Sequence, residues 1–352
     1  MWEEGWSTRS QYTEQQGLLH HGGRLRLAAT CYDIPPAEWL DLSAGINPHG
    51  WPVPMAPASA WSRLPEDEDG LEQAAQEYYG ARHLLPVAGS QAAIQALPHL
   101  RAHSRVSVLD PGYAEHAAAW RRAGHRVMPV TAEQVNNAVP SSDVLVLIHP
   151  NNPTGARFAV DQLLDWHTQL AARGGWLVVD EAFMDITPEH SLCNHSSRPG
   201  LIVLRSLGKF FGLAGARVGF VCAQPELLAR LHTLLGPWTV TAPARWVATA
   251  ALGDRVWQNR TRQRLLDDSA HLRALLTQYG LAPDGGCALF QWLRTPQAAY
   301  LHDKLARASI LTRLFTEPCS LRFGLPGCES DWQRLNTALA HMTAMNLVQA
   351  ST

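Results

Sequence analysis

The middle of the chain alternates between short apolar runs and segments with helical periodicity. The apolar runs have the length and composition of strands buried on both faces, and they lie at 105–110, 126–130, 143–148, 176–180, 201–204 and 218–221. The segments with helical spacing lie at 70–79, 90–99, 114–123 and 160–171. Helices between successive apolar strands are typical of βαβ units. The pattern therefore predicts an α/β fold with a mostly parallel sheet flanked by helices.

This alternation stops toward both ends of the chain. Residues 1–60 are rich in Gly, Pro and Trp and show little periodicity, which predicts an irregular arm. Beyond residue 240 helical spacing dominates, which predicts a smaller α+β domain. Its helical segments and short strand candidates lie at 248–280, 331–345, 287–293 and 319–324. We expect three parts: an N-terminal arm at 1–45 that joins the small domain, a large domain at 46–240 and a small C-terminal domain at 241–352.

The composition excludes several classes of partner. A net charge of −2 leaves no strong field to attract nucleic acid or anionic lipid. The first residues lack the pattern of a signal peptide, and no apolar run approaches the roughly 20 residues of a membrane-spanning helix. The six cysteines include no CxxC pair, so we expect neither a disulfide framework nor a metal site. The sequence thus predicts a soluble protein of the cytoplasm, with no nucleic-acid or membrane partner.

Polar residues follow several of the predicted strands, where open α/β sheets bind ligands. Gly89 and Ser90 stand at the start of a helix, whose free N–H groups could hold an anion. Such a pair more often marks only a turn and a helix cap. Asn151 and Asn152 follow another strand and are bracketed by prolines. A rigid turn explains them, but a side-chain amide at a strand end is also a good donor to a ligand oxygen.

Two charged residues stand in unusually apolar surroundings. Asp180 ends a buried strand, so its carboxylate either caps the next element or pairs with a buried cation. Lys209 lies among small and apolar residues. A desolvated lysine near other cations has a lowered pKa and reacts with carbonyl groups. The alternative is a lysine that extends from a loop into solvent. A Walker loop is excluded, because Phe210 replaces its Ser or Thr.

In combination, these motifs resemble the fold-type I pyridoxal-phosphate enzymes of the aminotransferase superfamily. The motifs are Asn-Pro-Thr-Gly from Asn152, Asp-Glu-Ala from Asp180, and Ser-x-x-Lys from Ser206 to Lys209 with Arg217 eight residues later. The resemblance extends over nearly the whole chain. It implies that the large domain binds pyridoxal 5′-phosphate (PLP), and that the protein is a homodimer.

The resemblance also implies a role for each motif residue. Lys209 would hold the cofactor as a Schiff base, and Asp180 would pair with the ring nitrogen and keep it protonated. Asn152 would donate to the 3′-oxygen of the ring, and Tyr113 would stack on the ring face. Four residues would hold the cofactor phosphate: Ser90 and Gln91 through their backbone N–H groups, Ser206 and Arg217.

Two N-terminal segments resemble a narrower group, the L-threonine-O-3-phosphate decarboxylase family. They are Leu-His-His-Gly-Gly at 19–23 and Leu-Asp-Leu-Ser-Ala-Gly-Ile-Asn-Pro at 40–48. This likeness implies decarboxylation of L-threonine O-3-phosphate to (R)-1-amino-2-propanol O-2-phosphate in adenosylcobalamin biosynthesis. The residues implied to bind that small phosphorylated substrate are His21, Gly22, Asn47, Asn152, Arg313 and Arg322.

The sequence departs from its relatives at three positions. Phe183 replaces a common Tyr and cannot donate to the 3′-oxygen, which leaves that contact to Asn152. Leu64 stands where relatives usually have a Tyr that reaches the cofactor phosphate of the partner subunit. Arg24 stands where Asn is common.

Two other functions share the same cofactor residues. An aminotransferase acting on histidinol phosphate, or on a similar phosphorylated amine, differs from the decarboxylase only in the arm and in how the substrate is oriented. A non-catalytic PLP-binding regulator usually has a basic helix-turn-helix domain first, and the Gly/Pro-rich residues 1–60 argue against it.

Overall fold

The computed structural model describes residues 21–349. The first 20 residues of the predicted arm and the last three of the predicted small domain lie outside the described residues. The chain forms two compact units. The first, called the large unit here, consists of His49–Leu265; the second, called the small unit, joins the described residues up to Pro48 with those from Leu266 onward.

The strands are short and occur in both units. In chain order they are β1 Leu40–Asp41, β2 Leu84–Val87, β3 Arg105–Leu109, β4 Arg126–Val130, β5 Val144–Ile148, β6 Trp176–Asp180, β7 Leu201–Ser206, β8 Gly219–Cys222, β9 Gly285–Cys287, β10 Phe290–Arg294, β11 Ile310–Leu311, β12 Arg313–Phe315 and β13 Ser320–Gly324.

The α-helices of the described residues are α1 Leu25–Tyr32, α2 Ser59–Ser62, α3 Leu71–Tyr79, α4 Ser90–Ala96, α5 Ala114–Arg122, α6 Val135–Ala138, α7 Val160–Ala171, α8 Pro225–Leu235, α9 Ala242–Gly253, α10 Arg255–Gln278, α11 Ala298–Arg307 and α12 Glu329–Gln349. Short 3₁₀ helices lie at Pro36–Glu38, Leu97–Leu100, Val139–Ser141, Met184–Ile186, Pro188–His190, Cys193–His195 and Ala214–Ala216. None of the helices within 21–349 has the length and hydrophobicity needed to cross a membrane.

The large unit is built on one seven-stranded sheet, in the order β2-β8-β7-β6-β5-β3-β4. Only β8 runs antiparallel to its two neighbours, β2 and β7. The other neighbours pair in parallel, as the continuous apolar runs predicted. Strand β6, the central strand in this order, is fully buried. The predicted fold class is therefore confirmed.

The small unit has two separate sheets. One is four-stranded and antiparallel, in the order β12-β13-β10-β9. The other pairs β1 with β11 in parallel. Ala28 and Ala29 of α1 pack with Trp39, Ala306 and Leu311 in a small apolar core. The small unit therefore has the α+β composition that the C-terminal sequence predicted.

The expectation that residues 1–60 form only an irregular arm was wrong. Helix α1 and strand β1 lie in this segment. Helix α1 has only eight residues, too few for a clear periodic signal. Strand β1 has two residues, and it is defined by pairing with β11, about 270 positions later in the chain. Such pairing depends on distant residues and leaves no local pattern.

The large unit extends beyond the residue at which the large domain was predicted to end. That domain was expected to end at residue 240, whereas the large unit continues to Leu265. Helix α9 follows residue 240, and its Arg245 is bonded to two carboxylates at the start of α3. The Arg245 Nε–Asp69 Oδ2 distance is 2.6 Å, and the Nη2–Glu72 Oε2 distance is 2.9 Å. These contacts fix α9 to the large unit.

Candidate active site

The carboxyl edge of the seven-stranded sheet gathers most of the residues implied to bind the cofactor. Parallel strands β2, β3, β5, β6 and β7 all end at this edge. Strand β8 is antiparallel, so its first residue, Gly219, lies at the same edge and pairs with Ser206 of β7 and Val87 of β2. The loop before β8 contains Arg217. The topology therefore brings Ser90, Ser206 and Arg217 to one region, although they are far apart in sequence.

A close approach between Arg217 and Gly89 forms the first part of this region. A Cβ atom on Gly89 would lie 2.6 Å from Nη2 of Arg217, so any side chain there would displace the Arg217 guanidinium. Gly89 has a φ of +71°, and it immediately precedes α4. The first residues of α4, Ser90 and Gln91, have backbone N–H groups that precede the first helical hydrogen bonds. A guanidinium beside a helix amino terminus is a suitable cradle for a phosphate.

Neighbouring backbone contacts fix this cradle in place. A Cβ atom on Gly219 would lie 2.5 Å from the backbone nitrogen of Ser90, so only glycine allows β8 to pass this close to α4. Arg217 has a left-handed φ of +55°, and its Nη1 donates to the carbonyl of Ala214 at 3.1 Å. The Ser206 hydroxyl accepts the N–H of Gly208 at 3.2 Å. The cradle is therefore formed by several tightly spaced backbone segments.

Asp180 is buried at the end of β6, with only 4% of its surface exposed. Its Oδ2 is 2.9 Å from Nε2 of His116 in α5, and its Oδ1 accepts the N–H of Ala182 at 3.1 Å. Because a buried carboxylate needs partners, these contacts hold Asp180 in one orientation. The sequence did not single out His116, since its separation of 64 positions from Asp180 gives no local signal.

Lys209 is half-buried, and its Nζ lies over the ring of Phe183 at 5.4 Å from the centroid. Phe183 is 4% exposed and follows Asp180 by three residues. This contact brings the Lys209 amine close to the end of β6. On either side of the lysine, Leu207 and Phe210 are completely buried, in agreement with the apolar surroundings seen in the sequence.

Tyr113 and Gln91 form a second linked pair at this edge. The Tyr113 hydroxyl donates to Oε1 of Gln91 at 3.2 Å, and Nε2 of Gln91 donates to Glu115 at 3.1 Å. Burial, together with the nearby carboxylates of Glu115 and Asp180, raises the pKa of Tyr113 to about 12. Tyr113 therefore stays protonated at neutral pH. The side chain of Gln91 orients this phenol, a role that the sequence had not predicted.

The two asparagines after β5 differ in burial and in their contacts. Asn151 is buried, and its Nδ2 donates to the carbonyl of Pro111 and to the Thr154 hydroxyl, both at 2.8 Å. It therefore fixes the turn and links it to the loop after β3. Asn152 is half-buried. Its place next to a fixed residue suits a side chain that must point consistently at a ligand.

A buried ionic cluster is formed by residues adjacent in sequence to Asp180 and Ser206. Arg205 is 1% exposed. Its Nη1 is 2.7 Å from Oε2 of Glu181, and its Nη2 is 2.8 Å from Oδ1 of Asp185. Glu181 follows Asp180, and Arg205 precedes Ser206, so the cluster joins the ends of β6 and β7. Burial raises the pKa of Glu181, while the buried carboxylates beside Arg205 raise the pKa of its guanidinium.

The small unit contains the two arginines that the resemblance assigned to substrate. Arg313 and Arg322 are directly opposite each other on the antiparallel pair β12 and β13. Like charges in this arrangement repel. Burial, with Arg24 as the next cause, lowers the pKa of Arg313 to about 10; burial, with Arg313, lowers that of Arg322 to about 10. Both remain cations at neutral pH, so the pair is suited to bind an anionic group.

Ser43 connects several of the predicted substrate residues, although the sequence did not identify it individually. Its hydroxyl accepts the N–H of Gly23 at 2.8 Å, and its carbonyl accepts Nη2 of Arg322. A Cβ atom on Gly22 would lie 2.4 Å from the same carbonyl. Glycine at position 22 is therefore needed so that the chain can pass close to Ser43.

A cavity of about 700 Å³ lies within the small unit. Three of the predicted substrate residues line it: His21, Gly22 and Arg313. Arg322 and Asn47 are 5% and 3% exposed and are not part of its lining. The cavity wall therefore includes only some of the residues that the resemblance assigned to substrate binding.

The residues at the carboxyl edge fit PLP in four respects. The glycine-lined cradle at Arg217 suits a phosphate, and the buried Asp180–His116 pair suits a protonated ring nitrogen. The Tyr113 ring offers a stacking face. Lys209 supplies an amine in apolar surroundings.

The sequence is similar to a family of known proteins over most of its length. The model of the family described as aminotransferase class I and II matches residues 64–350. A threonine-phosphate decarboxylase from Pseudomonas aeruginosa is 58% identical over 322 residues, which cover 92% of this chain and 97% of that protein. A threonine-phosphate decarboxylase from Sinorhizobium sp is 41% identical over 330 residues, covering 92% and 98%.

The fold is also similar to solved structures. The histidinol-phosphate aminotransferase of Sinorhizobium meliloti, crystallised in complex with pyridoxal-5′-phosphate, superposes with a TM-score of 0.80 at 20% identity. The match covers 94% of this chain and 96% of that one. At this identity the likeness bears on the fold alone.

Proposed function

Because the chain belongs to the aminotransferase class I and II family, we propose that it is a PLP-dependent decarboxylase. Its substrate is L-threonine O-3-phosphate, and its products are (R)-1-amino-2-propanol O-2-phosphate and CO2. The observation that carries this choice of reaction is the 58% identity to a threonine-phosphate decarboxylase over 92% of the chain. The product would enter adenosylcobalamin biosynthesis, as the resemblance implies.

The large unit would bind the cofactor. PLP, when bound, supplies a conjugated ring that accepts the electron pair of a bond broken at Cα. Lys209 would bind it covalently in the resting enzyme. Asp180, oriented by His116, would stabilise a proton on the ring nitrogen, and Asn152 would donate to the 3′-oxygen. Tyr113 would contact the ring face, and the phosphate would be held by Ser206, Arg217 and the N–H groups of Ser90 and Gln91.

The small unit would bind the anionic groups of the substrate. Arg313 and Arg322 would bind its phosphate and carboxylate, because guanidinium groups recognise both anions by paired hydrogen bonds. His21, Gly22, Asn47 and Asn152 would complete the substrate contacts.

The choice between two reactions depends on how the substrate is oriented when it binds. Decarboxylation would require the substrate-binding residues, Arg313 and Arg322 among them, to present the Cα–carboxylate bond for cleavage, and transamination would require them to present the Cα–H bond. In the proposed reaction, Nζ of Lys209 would then deliver a proton to Cα.

We also propose that the enzyme is a cytoplasmic homodimer. Four apolar side chains between residues 53 and 64 are unusually exposed for a protein surface: Val53 at 56%, Met55 at 94%, Trp61 at 74% and Leu64 at 64%. A second copy of the chain would cover this segment. Sedimentation of the holoenzyme at micromolar concentration should give twice the mass of the chain, and a monomer would contradict the proposal.

The reaction can be tested with purified holoenzyme. The enzyme is incubated with L-threonine O-3-phosphate, with and without 2-oxoglutarate, and CO2, amine product and glutamate are measured. We expect equal amounts of CO2 and amine, with no requirement for 2-oxoglutarate. Formation of glutamate that depends on 2-oxoglutarate, without CO2, would instead identify an aminotransferase. A Lys209→Ala variant that still binds PLP covalently would overturn the role of Lys209.

A further inference from the structure

A chain of hydrogen bonds in the large unit links Tyr113 to a carboxylate that the proposed function has not used. The Tyr113 hydroxyl donates to Oε1 of Gln91 at 3.2 Å, and Nε2 of Gln91 donates to Oε2 of Glu115 at 3.1 Å. Glu115 lies in the first turn of α5, two residues after Tyr113, and its side chain is 13% exposed. The hydrogen bonds therefore join the start of α4 to the start of α5.

Glu115 decides which way the side-chain amide of Gln91 points. An ionised carboxylate only accepts hydrogen bonds, so the Nε2 group of Gln91 must face it. The Oε1 atom of Gln91 is then turned toward Tyr113, whose hydroxyl must be the donor. Without Glu115, the amide would be free to turn over and to present its N–H groups to the phenol. Glu115 thereby fixes the hydrogen bond that holds the Tyr113 hydroxyl.

Other side chains of α4 and α5 hold the Glu115 carboxylate in place. Its Oε2 accepts Nε2 of Gln95 at 3.1 Å, and Nη2 of Arg122 lies 3.7 Å from the same oxygen. Arg122 also donates to Oε1 of Gln95 at 2.7 Å. Glu115 therefore has supports besides Gln91. Gln95 bonds to the same carboxylate oxygen at the same distance as Gln91, whereas the bond to Tyr113 comes from Gln91.

Tyr113 is also held through its ring. The ring lies at 82° to the ring of His116, with the centroids 6.2 Å apart, and His116 in turn contacts Asp180. Burial, followed by the carboxylates of Glu115 and Asp180, raises the pKa of Tyr113 to about 12. The phenol therefore keeps the proton that it donates to Gln91. A ring held by both contacts is already oriented before a ligand binds, which lowers the entropic cost of binding.

We infer that Glu115 is a positioning residue for the cofactor: through the amide of Gln91, it holds the Tyr113 ring in the orientation that stacks on PLP. The inference rests on the proposed function for the contact between Tyr113 and PLP. Glu115 acts through Tyr113 and not by touching the cofactor. Its removal should therefore weaken PLP binding only as far as the Tyr113 hydroxyl contributes to it.

The test compares wild type with Glu115→Ala, Glu115→Gln, Gln91→Met and the control Gln95→Met. Gln91→Met keeps the backbone N–H of the phosphate cradle, and Gln95→Met removes one bond to Glu115 but leaves the bonds that lead to Tyr113. PLP binding to the full-length apoenzyme is measured by calorimetry. The hydroxyl of Tyr113 is observed by NMR of protein labelled with carbon-13 at Cζ of its seven tyrosines. Loss of one resonance in Tyr113→Phe identifies it.

Glu115→Ala and Gln91→Met should each raise the dissociation constant of PLP about 3- to 10-fold, as for the loss of one hydrogen bond. Each should also shift the Tyr113 resonance. Glu115→Gln should recover part of the affinity, because its amide oxygen still accepts the N–H of Gln91. Gln95→Met should match wild type in both measurements. Equal PLP affinities in Glu115→Ala and Gln95→Met, or an unmoved Tyr113 resonance in Glu115→Ala, would overturn the inference.

A double variant tests whether Glu115 acts through Tyr113. Tyr113→Phe has no hydroxyl for Gln91 to hold, so adding Glu115→Ala to it should cause no further loss of PLP affinity. A role of Glu115 in joining α4 to α5 alone would instead give losses that add up. Additive losses would therefore overturn the inference.

Failure of the proposed function would be recognised separately. Wild-type protein that binds PLP but releases no CO2 from L-threonine O-3-phosphate would refute the proposed reaction, and the comparison of PLP affinities would still decide the role of Glu115. Wild-type protein that binds no PLP would refute both. Normal CO2 release by wild type, with equal PLP affinities in Glu115→Ala and Gln95→Met, would refute the role of Glu115 alone.

Discussion

At the scale of single residues, the cofactor region depends on contacts that allow little substitution. A side chain on Gly219 would clash with the backbone of Ser90, and one on Gly89 would displace the guanidinium of Arg217. Asp180 is held in its orientation by two contacts, because His116 and the N–H of Ala182 both bind its carboxylate. Small changes here should therefore alter cofactor binding more than the stability of the fold.

Gly89→Ala should weaken PLP binding specifically. Its added methyl group would displace Arg217, so we expect the dissociation constant of PLP to rise about tenfold or more, which corresponds to about 1.4 kcal/mol. Gly236→Ala is a matched control: Gly236 has φ +77° and ψ 179°, close to φ +71° and ψ 158° at Gly89, but a Cβ there meets no atom within 4 Å. Both variants should lose some stability. Equal PLP affinities in the two variants would contradict the account of the cradle.

His116→Ala should weaken PLP binding by leaving Asp180 without its side-chain partner. We expect the PLP dissociation constant to increase about 10- to 100-fold, as for other hydrogen bonds to charged groups. His167→Ala serves as a control, since His167 is also buried and its Nε2 contacts the carbonyl of Pro199 at 3.0 Å. If both variants bind PLP like wild type, His116 does not orient Asp180.

At the scale of elements, the strands that could be predicted from the sequence are those with a clear local pattern of apolar residues. Strands β3, β5 and β6 were predicted from short, largely apolar runs, and the structure confirms all three. The two-residue strands β1 and β11 were missed because each exists only through the other. His116 was missed because its contact with Asp180 joins residues 64 positions apart. Asp180 and Lys209 were found because they belong to motifs with a fixed local spacing.

The ionic cluster at the ends of β6 and β7 should be a large contributor to stability. Arg205→Ala would leave Glu181 and Asp185 buried without their cation, and we expect a loss of about 3–5 kcal/mol in the free energy of unfolding. Arg294→Ala is the control, because Arg294 is 62% exposed in its pair with Asp284, and such a pair at the surface should contribute less than about 1 kcal/mol. Chemical denaturation measures both. Similar losses would show that the cluster does not stabilise the strand ends.

At the scale of the whole molecule, buried histidines in both units should make the protein sensitive to acid. Burial, with repulsion from Arg157 and His190, lowers the pKa of His149 from 6.5 to about 4. Burial likewise lowers the pKa of His302 to about 4. The unfolded chain binds a proton at each site near pH 6.5, and the folded protein does so only near pH 4. The contribution of these two histidines to the free energy of unfolding is therefore complete above pH 6.5, and it is lost as the pH falls toward 4.

For His149, the expected loss of stability is about 2 kcal/mol between pH 7 and pH 5. Among the described residues 21–349, neither ring nitrogen of His149 has a hydrogen-bond partner, so His149→Leu removes the titration without breaking a bond seen there. Urea unfolding of this variant should depend less on pH than that of wild type or of a variant at the exposed His99, His99→Gln. An unchanged pH dependence in His149→Leu would show that His149 does not contribute.

The central claim is that this chain breaks the bond between Cα and the carboxylate, and it can be tested with an isotope. The holoenzyme is given L-threonine O-3-phosphate with deuterium at Cα in ordinary water, and the amine product is examined by mass spectrometry. Decarboxylation predicts a product that keeps the deuterium and gains one proton from solvent at the same carbon, with one CO2 released per amine. Loss of the deuterium to solvent without release of CO2 would contradict the claim.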